Sequence, residues 1–406
     1  MKALLCALFL VFAGSAAFAA QKPMANSSTA DQAALVKGSN AFAVDLYGQL
    51  RAQPGNLFFS PESISTAFAM AYAGARGQTA AQMAGVFHFT LPPERLHPAM
   101  GSLLAQMNAQ HPEYELHVAD ALWAQSGAAF LPDYLKLTQN DYTAGLRPID
   151  FRSSPDAARA AINQWVEQQT NNKIQNLLGP GTVTPATKLV LTNAIYFKGT
   201  WVDQFNPTYT DEEDFHLTAK QSVKTQMMNR TGSYSYFDGG SFQELELPYK
   251  GACSMVVLLP KEIGGLPALE KSFTAANASN WIKQLKPVDK VVVTFPRFNL
   301  TQQFELSGTL AGMGMPLAFT GSADFSGMTG KPDFSISAAI HKAYIEVNEQ
   351  GTEAAAATAI TMYATAIMRD EPPPVVFNAD HPFLFLIRDT DSGAILFLGR
   401  LGNPAQ

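Results

Sequence analysis

The chain has 406 residues, 47% of them hydrophobic and 15% charged, with a formal net charge of -6. Such a length supplies a sizeable core and by itself allows two or three domains. Mild acidity without any Lys/Arg cluster argues against a constitutive nucleic-acid binder.

Met1 and Lys2 precede an apolar run over residues 3–12, and Ala17-Phe18-Ala19 supplies the small residues a signal peptidase accepts. Residues 1–19 are therefore expected to be a removed export signal, its apolar run too short to span a membrane. A secreted or extracellular location follows as an expectation, periplasmic in a bacterium. Residues 20–30 are small and polar, and are expected to be a flexible start. Removal of the signal leaves one cysteine, Cys253, so no internal disulfide is possible. Its apolar setting reads as an inert buried thiol.

Asp31 opens a helix with Leu35, Phe42, Leu46 and Leu50 near one face, ended by Pro54-Gly55. Residues 56–61 read as a short strand. Ser60 or Pro61 then starts a helix apolar nearly all round, which places it centrally. Residues 92–112 predict a surface helix, 119–130 a strand and 158–178 a helix. Residues 189–199 form a long run with little polarity, as in a strand covered on both faces. Asp211-Glu-Glu-Asp214 reads as a solvated turn. Strands are predicted over 223–230, 233–237, 243–247, 254–259 and 291–298, with one or two helices over 267–285. Ala343, Ile345 and Val347 alternate with Tyr344, Glu346 and Asn348. Two apolar runs, 383–387 and 394–398, are joined by a hairpin turn.

Between Asn348 and Val375 lies a connection of roughly 25 residues, longer than compact domains usually contain. It begins Gly351-Thr-Glu-Ala-Ala-Ala-Ala-Thr358. Alanine's helix propensity favours a short surface helix on composition alone. The same small residues also suit a segment that must enter a narrow space.

The stretch from His341 to Thr358 resembles the hinge of the serpins, and the stretch from Phe377 to Phe385 looks like their C-terminal signature. Residues 56–79 are similar to their strand and central helix. Ile162-Asn-Gln-Trp-Val166 with Thr170, Lys173 and Ile174 is similar to the helix across their main sheet. Ala323-Asp-Phe-Ser326 resembles one of their turns. The resemblance runs over residues 31–404. It implies one α+β unit over residues 31–406, with a large central β-sheet and further sheets. About eight or nine helices and an exposed reactive-centre loop are implied as well.

The implied function is inhibition of serine, or cysteine, proteases by a single-use suicide substrate. The protease attacks the loop, an acyl-enzyme forms, and the cleaved loop inserts as a new strand. The resemblance implies a hinge of Gly351, Thr352, Glu353, Ala354, Ala355, Ala356, Ala357 and Thr358. On insertion, Thr352, Ala354, Ala356 and Thr358 face the core. Glu349, Arg297 and Trp201 match the site where the loop first enters. Ser60, Ser63, Asn193 and His341 resemble a polar cluster beneath the strands that part. Counting fourteen positions from Gly351 puts the reactive bond at Thr365–Ala366, whose small residues suit an elastase-like target. A backward count from Phe377 gives Met368 and Arg369 instead, pointing to chymotrypsin-like or trypsin-like targets.

The expected partner is a target protease, held as a covalent acyl complex by a monomeric inhibitor. No nucleic acid or membrane partner is expected. Heparin is not expected either, since residues 92–112 offer Arg95 and little else basic. No cofactor or metal is expected: the seven histidines are dispersed and lack ligand spacing. The chain carries no nucleophile elbow, zinc-protease pair or Walker loop, so an enzyme is not expected. A serpin-fold carrier or chaperone is the alternative, and a hydrolase with a concealed site the third reading.

Overall fold

The computed structural model describes residues 28–109, 112–142, 145–352 and 373–406. In chain order the elements begin with α1 (Thr29–Leu50), β1 (Leu57–Phe59), α2 (Pro61–Tyr72), α3 (Gly77–Phe87), α4 (Pro93–Met107) and β2 (Tyr114–Gln125). There follow α5 (Pro132–Asp141), β3 (Leu146–Ile149), α6 (Pro155–Gln169), β4 (Leu189–Thr200), β5 (Thr210–Thr218) and β6 (Gln221–Asp238). Next come β7 (Phe242–Pro248), β8 (Cys253–Pro260), α7 (Leu266–Ser272), α8 (Ala275–Ile282), β9 (Lys286–Pro296) and β10 (Phe298–Glu305). The last are α9 (Ser307–Met313), α10 (Ser326–Thr329), β11 (Ala338–Asn348), β12 (Gly351–Thr352), β13 (Val375–Asn378), β14 (Phe383–Asp389) and β15 (Ile395–Leu401).

This is an α+β fold, as the resemblance implies. Among the described residues it has ten α-helices, more than the eight or nine expected, the surplus including the single turn α10. The strands form two sheets. One is six-stranded, in the order β10-β11-β12-β4-β2-β3; the other has nine strands and carries the C-terminal hairpin β14–β15.

Several boundaries differ from the sequence expectation for identifiable reasons. The first helix begins at Thr29, because the Ser28 side chain caps it by accepting from the Asp31 amide. The helix expected to reach residue 178 stops at Gln169, where Asn171 and Asn172 take positive φ. Residues 223–237 form one long strand rather than two, with a register shift after Gly232. Residues 291–305 form two strands, since the chain breaks at Arg297. The acidic run at Asp211 to Asp214 lies within β5, an exposed strand that among the described residues pairs with β6 alone, and is not a turn. Charge on such an edge discourages pairing with other chains.

The six-stranded sheet is covered on both sides. The central helix α2 buries every residue from Pro61 to Ala71. On the opposite face Ile162 and Val166 of α6 join Ala119, Ala121, Val190, Ala194, Ala338 and Ile340 in one cluster. That double cover explains why β4 is buried nearly throughout and reads as a run with little polarity.

Candidate functional site

The β11–β4 seam is the feature around which the site is built. From Ala338↔Val190 to Tyr344↔Tyr196 the two strands pair directly and in parallel. Above that they separate. β11 turns back on itself through Glu349 and Gln350, a two-residue hairpin loop, and β12 enters the widened gap. Gly351 and Thr352 pair with Asn348 and Val347 on one side and with Thr200 and Gly199 on the other. Gly351 is required here: its φ is +149°, and a Cβ would lie 2.0 Å from the Gly199 carbonyl oxygen.

This arrangement corrects one expectation. The first two hinge residues, Gly351 and Thr352, are buried in the sheet and not part of an exposed loop. Thr352 is fully buried, and its hydroxyl lies 2.7 Å from Tyr249 Oη. The remaining hinge residues (Glu353, Ala354, Ala355, Ala356, Ala357, Thr358) and both proposed bonds (Thr365–Ala366, Met368–Arg369) lie outside the described residues, as does the proposed signal.

The three residues assigned to the point of loop entrance meet at the hairpin. Arg297 donates from Nε to Glu349 Oε1 at 2.7 Å, and a second guanidinium nitrogen reaches the same oxygen. The Thr210 hydroxyl also donates to that carboxylate. Burial works against the charge, but the hydrogen bonds from Arg297 and Thr210 outweigh it and hold Glu349 below its usual range. Trp201 donates its indole N–H to the Asn348 carbonyl at 3.0 Å and its amide to the Gln350 carbonyl at 2.9 Å. Its ring stacks on Tyr249 at 4.2 Å between centroids. The turn is thus fixed by Arg297, Thr210 and Trp201, from three separate parts of the chain.

A second buried group lies lower on the same seam. The Ser60 amide donates to His341 Nε2 at 3.2 Å. Since an amide only donates, Nε2 is the acceptor and the proton sits on Nδ1, which donates to Asn193 Oδ1. Burial lowers the His341 pKa to about 3, in keeping with a neutral ring. Asn193 Nδ2 then donates to Ser63 Oγ at 2.6 Å and to Asp120 Oδ1. Ser60 Oγ, for its part, caps α2 by accepting from the Ser63 amide. The structure therefore brings Ser60, Ser63, Asn193 and His341 together as expected.

Sequence reasoning missed two members. Asp120 is buried at the centre of the cluster, accepting also from Ser63 Oγ at 3.1 Å. Its only sequence signal is a single acid inside an otherwise apolar stretch of β2. Tyr249 closes the upper gap, and follows a strand-ending proline without a distinguishing motif. Cys253 is buried beside Tyr249, and burial pushes its thiol up to about 12, in keeping with an inert thiol.

A family model described as "Serpin (serine protease inhibitor)" matches residues 37–404. The chain is 43% identical over 382 residues to the leukocyte elastase inhibitor of Homo sapiens, covering 91% of this chain and 99% of that protein. It is 40% identical over 368 residues to Iris of Ixodes ricinus, covering 89% of this chain and 96% of that one. Among solved structures it superposes on uncleaved ovalbumin with a TM-score of 0.82 at 32% identity, over 91% of this chain and 100% of that chain. Human thyroxine-binding globulin, solved as a complex with thyroxine, gives 0.82 at 29% identity, over 92% of this chain and 99% of that chain. The chain belongs to the serpin family.

Proposed function

We propose that this protein is an exported inhibitor of serine proteases that acts as a single-use suicide substrate, with an elastase-like target. The observation that carries the reading is the forked seam, in which the hinge already occupies the first two places of a missing strand. Continuing the register of Thr352 opposite Gly199 brings residue 362 opposite Leu189, the first residue of β4. A bond at Thr365–Ala366 then lies three residues past the filled strand, closer to its end than the alternative at Met368. The inserted strand adds roughly ten ladder hydrogen bonds at ~1 kcal/mol each. That is on the order of 10 kcal/mol, enough to drive a rearrangement before water releases the acyl-enzyme.

The similarity to leukocyte elastase inhibitors supports the target class, and the small residues around Thr365 suit a shallow specificity pocket. Glu349, Arg297 and Trp201 act as the anchor from which insertion proceeds. The cluster of Ser60, Ser63, Asn193 and His341 sits where the strands must part. Nothing in this scheme requires turnover, a metal or a cofactor.

The test is incubation with an elastase-like serine protease followed by a denaturing gel and sequencing of the released peptide. A band at the summed mass and a peptide beginning at Ala366 are expected. Repeated cleavage without a stable adduct would instead support the non-inhibitory carrier.

A further inference from the structure

The hydrogen bond between His341 and Asn193 spans the β11–β4 seam, the line along which an incoming strand must part the sheet. It is one link in a directed chain. His341 donates to Asn193, Asn193 donates to Asp120, and Ser63 Oγ donates to the same carboxylate. The Ser63 hydroxyl and the Asn193 amide donate to Asp120 directly, and His341 acts on it through Asn193. A negative charge at the end of such a chain polarises each bond upstream of it. A neutral carboxyl does not: it donates its own proton, for which Ser63 Oγ at 3.1 Å is the acceptor in reach, and so reverses the direction of that bond.

Asp120 lines a cavity of 280 Å³ together with Tyr142, Arg147, Trp165 and Gln169. The cavity gives the carboxyl a path for proton exchange without unfolding. The groups facing it can be named by element. α2 contributes the hydroxyl of Ser63, β4 the amide of Asn193, and β11 the neutral His341 acting through Asn193. Across the cavity stand Arg147 of β3, stacked over Trp165 of α6 at 4.7 Å, and Tyr142, which bonds His97 of α4 at 2.7 Å.

We propose that Asp120 is a proton-operated positioning residue: charged, it tightens the β11–β4 seam through Asn193 and His341, and protonated, it lets the seam part more readily. The inference rests on the reading that a strand inserts at this seam. Burial raises the carboxyl well above the usual range, against the lowering effect of the bonds from Ser63 and Asn193. The change of state therefore falls above the ordinary carboxylate range. Loop insertion is faster on the acid side of that transition and slower on the alkaline side.

Hydrogen exchange of β4 and β11 amides in the intact full chain, compared with Asp120→Asn between pH 5 and 8, tests this without any protease. The substitution keeps the shape and the acceptor oxygen but does not titrate. Protection of the seam in the native protein, relative to the variant, should rise a few-fold to about tenfold with pH. Parallel profiles would overturn the proposal. Should the variant fail to fold, Ser63→Ala removes one donor to the carboxylate and must move the native transition to higher pH; an unmoved transition overturns it equally. Failure to form a covalent protease adduct would count against the inhibitory reading while leaving the exchange result to stand by itself.

Discussion

Thr352→Arg places a guanidinium where the native side chain is fully buried and bonded to a neutral hydroxyl, Tyr249 Oη at 2.7 Å. An unpaired buried cation costs several kcal/mol even after relaxation. Against it stand the ladder bonds of the two-residue β12 and the Tyr249 contact, at about 1 kcal/mol each. The two sums are comparable, so β12 is expected to leave the sheet. The larger consequence is kinetic, because the same residue must be buried again when the cleaved loop inserts. Every 1.4 kcal/mol added to that barrier slows insertion about tenfold, so about 3 kcal/mol exceeds a hundredfold. Hydrolysis of the acyl-enzyme then wins. The assay is the number of inhibitor molecules consumed per protease inactivated, which should climb from about one to many in the variant. Thr352→Ser, which keeps the hydroxyl, should behave as the native chain. An unchanged ratio in Thr352→Arg would refute the placement of this residue.

Tyr249→Phe removes the partner of a buried threonine hydroxyl, a loss of about 1–3 kcal/mol, and should speed exchange of the Thr352 amide without unfolding the protein. Equal exchange rates would show that Tyr249 does not hold the hinge. His341 is neutral in the fold down to about pH 3, whereas the unfolded chain takes up its proton near the ordinary value. The unfolded state therefore binds more protons below about pH 6.5, and stability is lost as pH falls from there toward about 3. Urea unfolding of the native chain and His341→Gln should diverge across that window by up to about 1.4 kcal/mol per pH unit. Identical pH dependence would remove His341 from the account.

The sheet interior was legible because double cover imposes a run with little polarity, as in residues 189–197, and single alternation marks β11. Turn chemistry announced the β14–β15 hairpin. What could not be read were features set by tertiary partners. Arg297 lies between β9 and β10, and nothing local distinguishes it from a residue within a strand; only the family resemblance pairs it with Glu349, 52 positions away. Asp120 shows only as an acid in a strand until Ser63 and Asn193 are brought beside it. The acidic stretch in β5 reads as a turn because an exposed edge strand tolerates charges that a covered one does not. The hinge could be located by resemblance, but its early entrance into the sheet depends on the fork between Tyr344 and Val347. That fork is visible only in three dimensions.

The account turns on whether a cut loop completes the sheet. Differential scanning calorimetry of the intact chain and of the chain nicked between residues 353 and 372 tests this directly. On the order of 10 kcal/mol of new ladder bonding predicts a large upward shift of the melting temperature after cleavage. Equal melting temperatures for the two forms would contradict it.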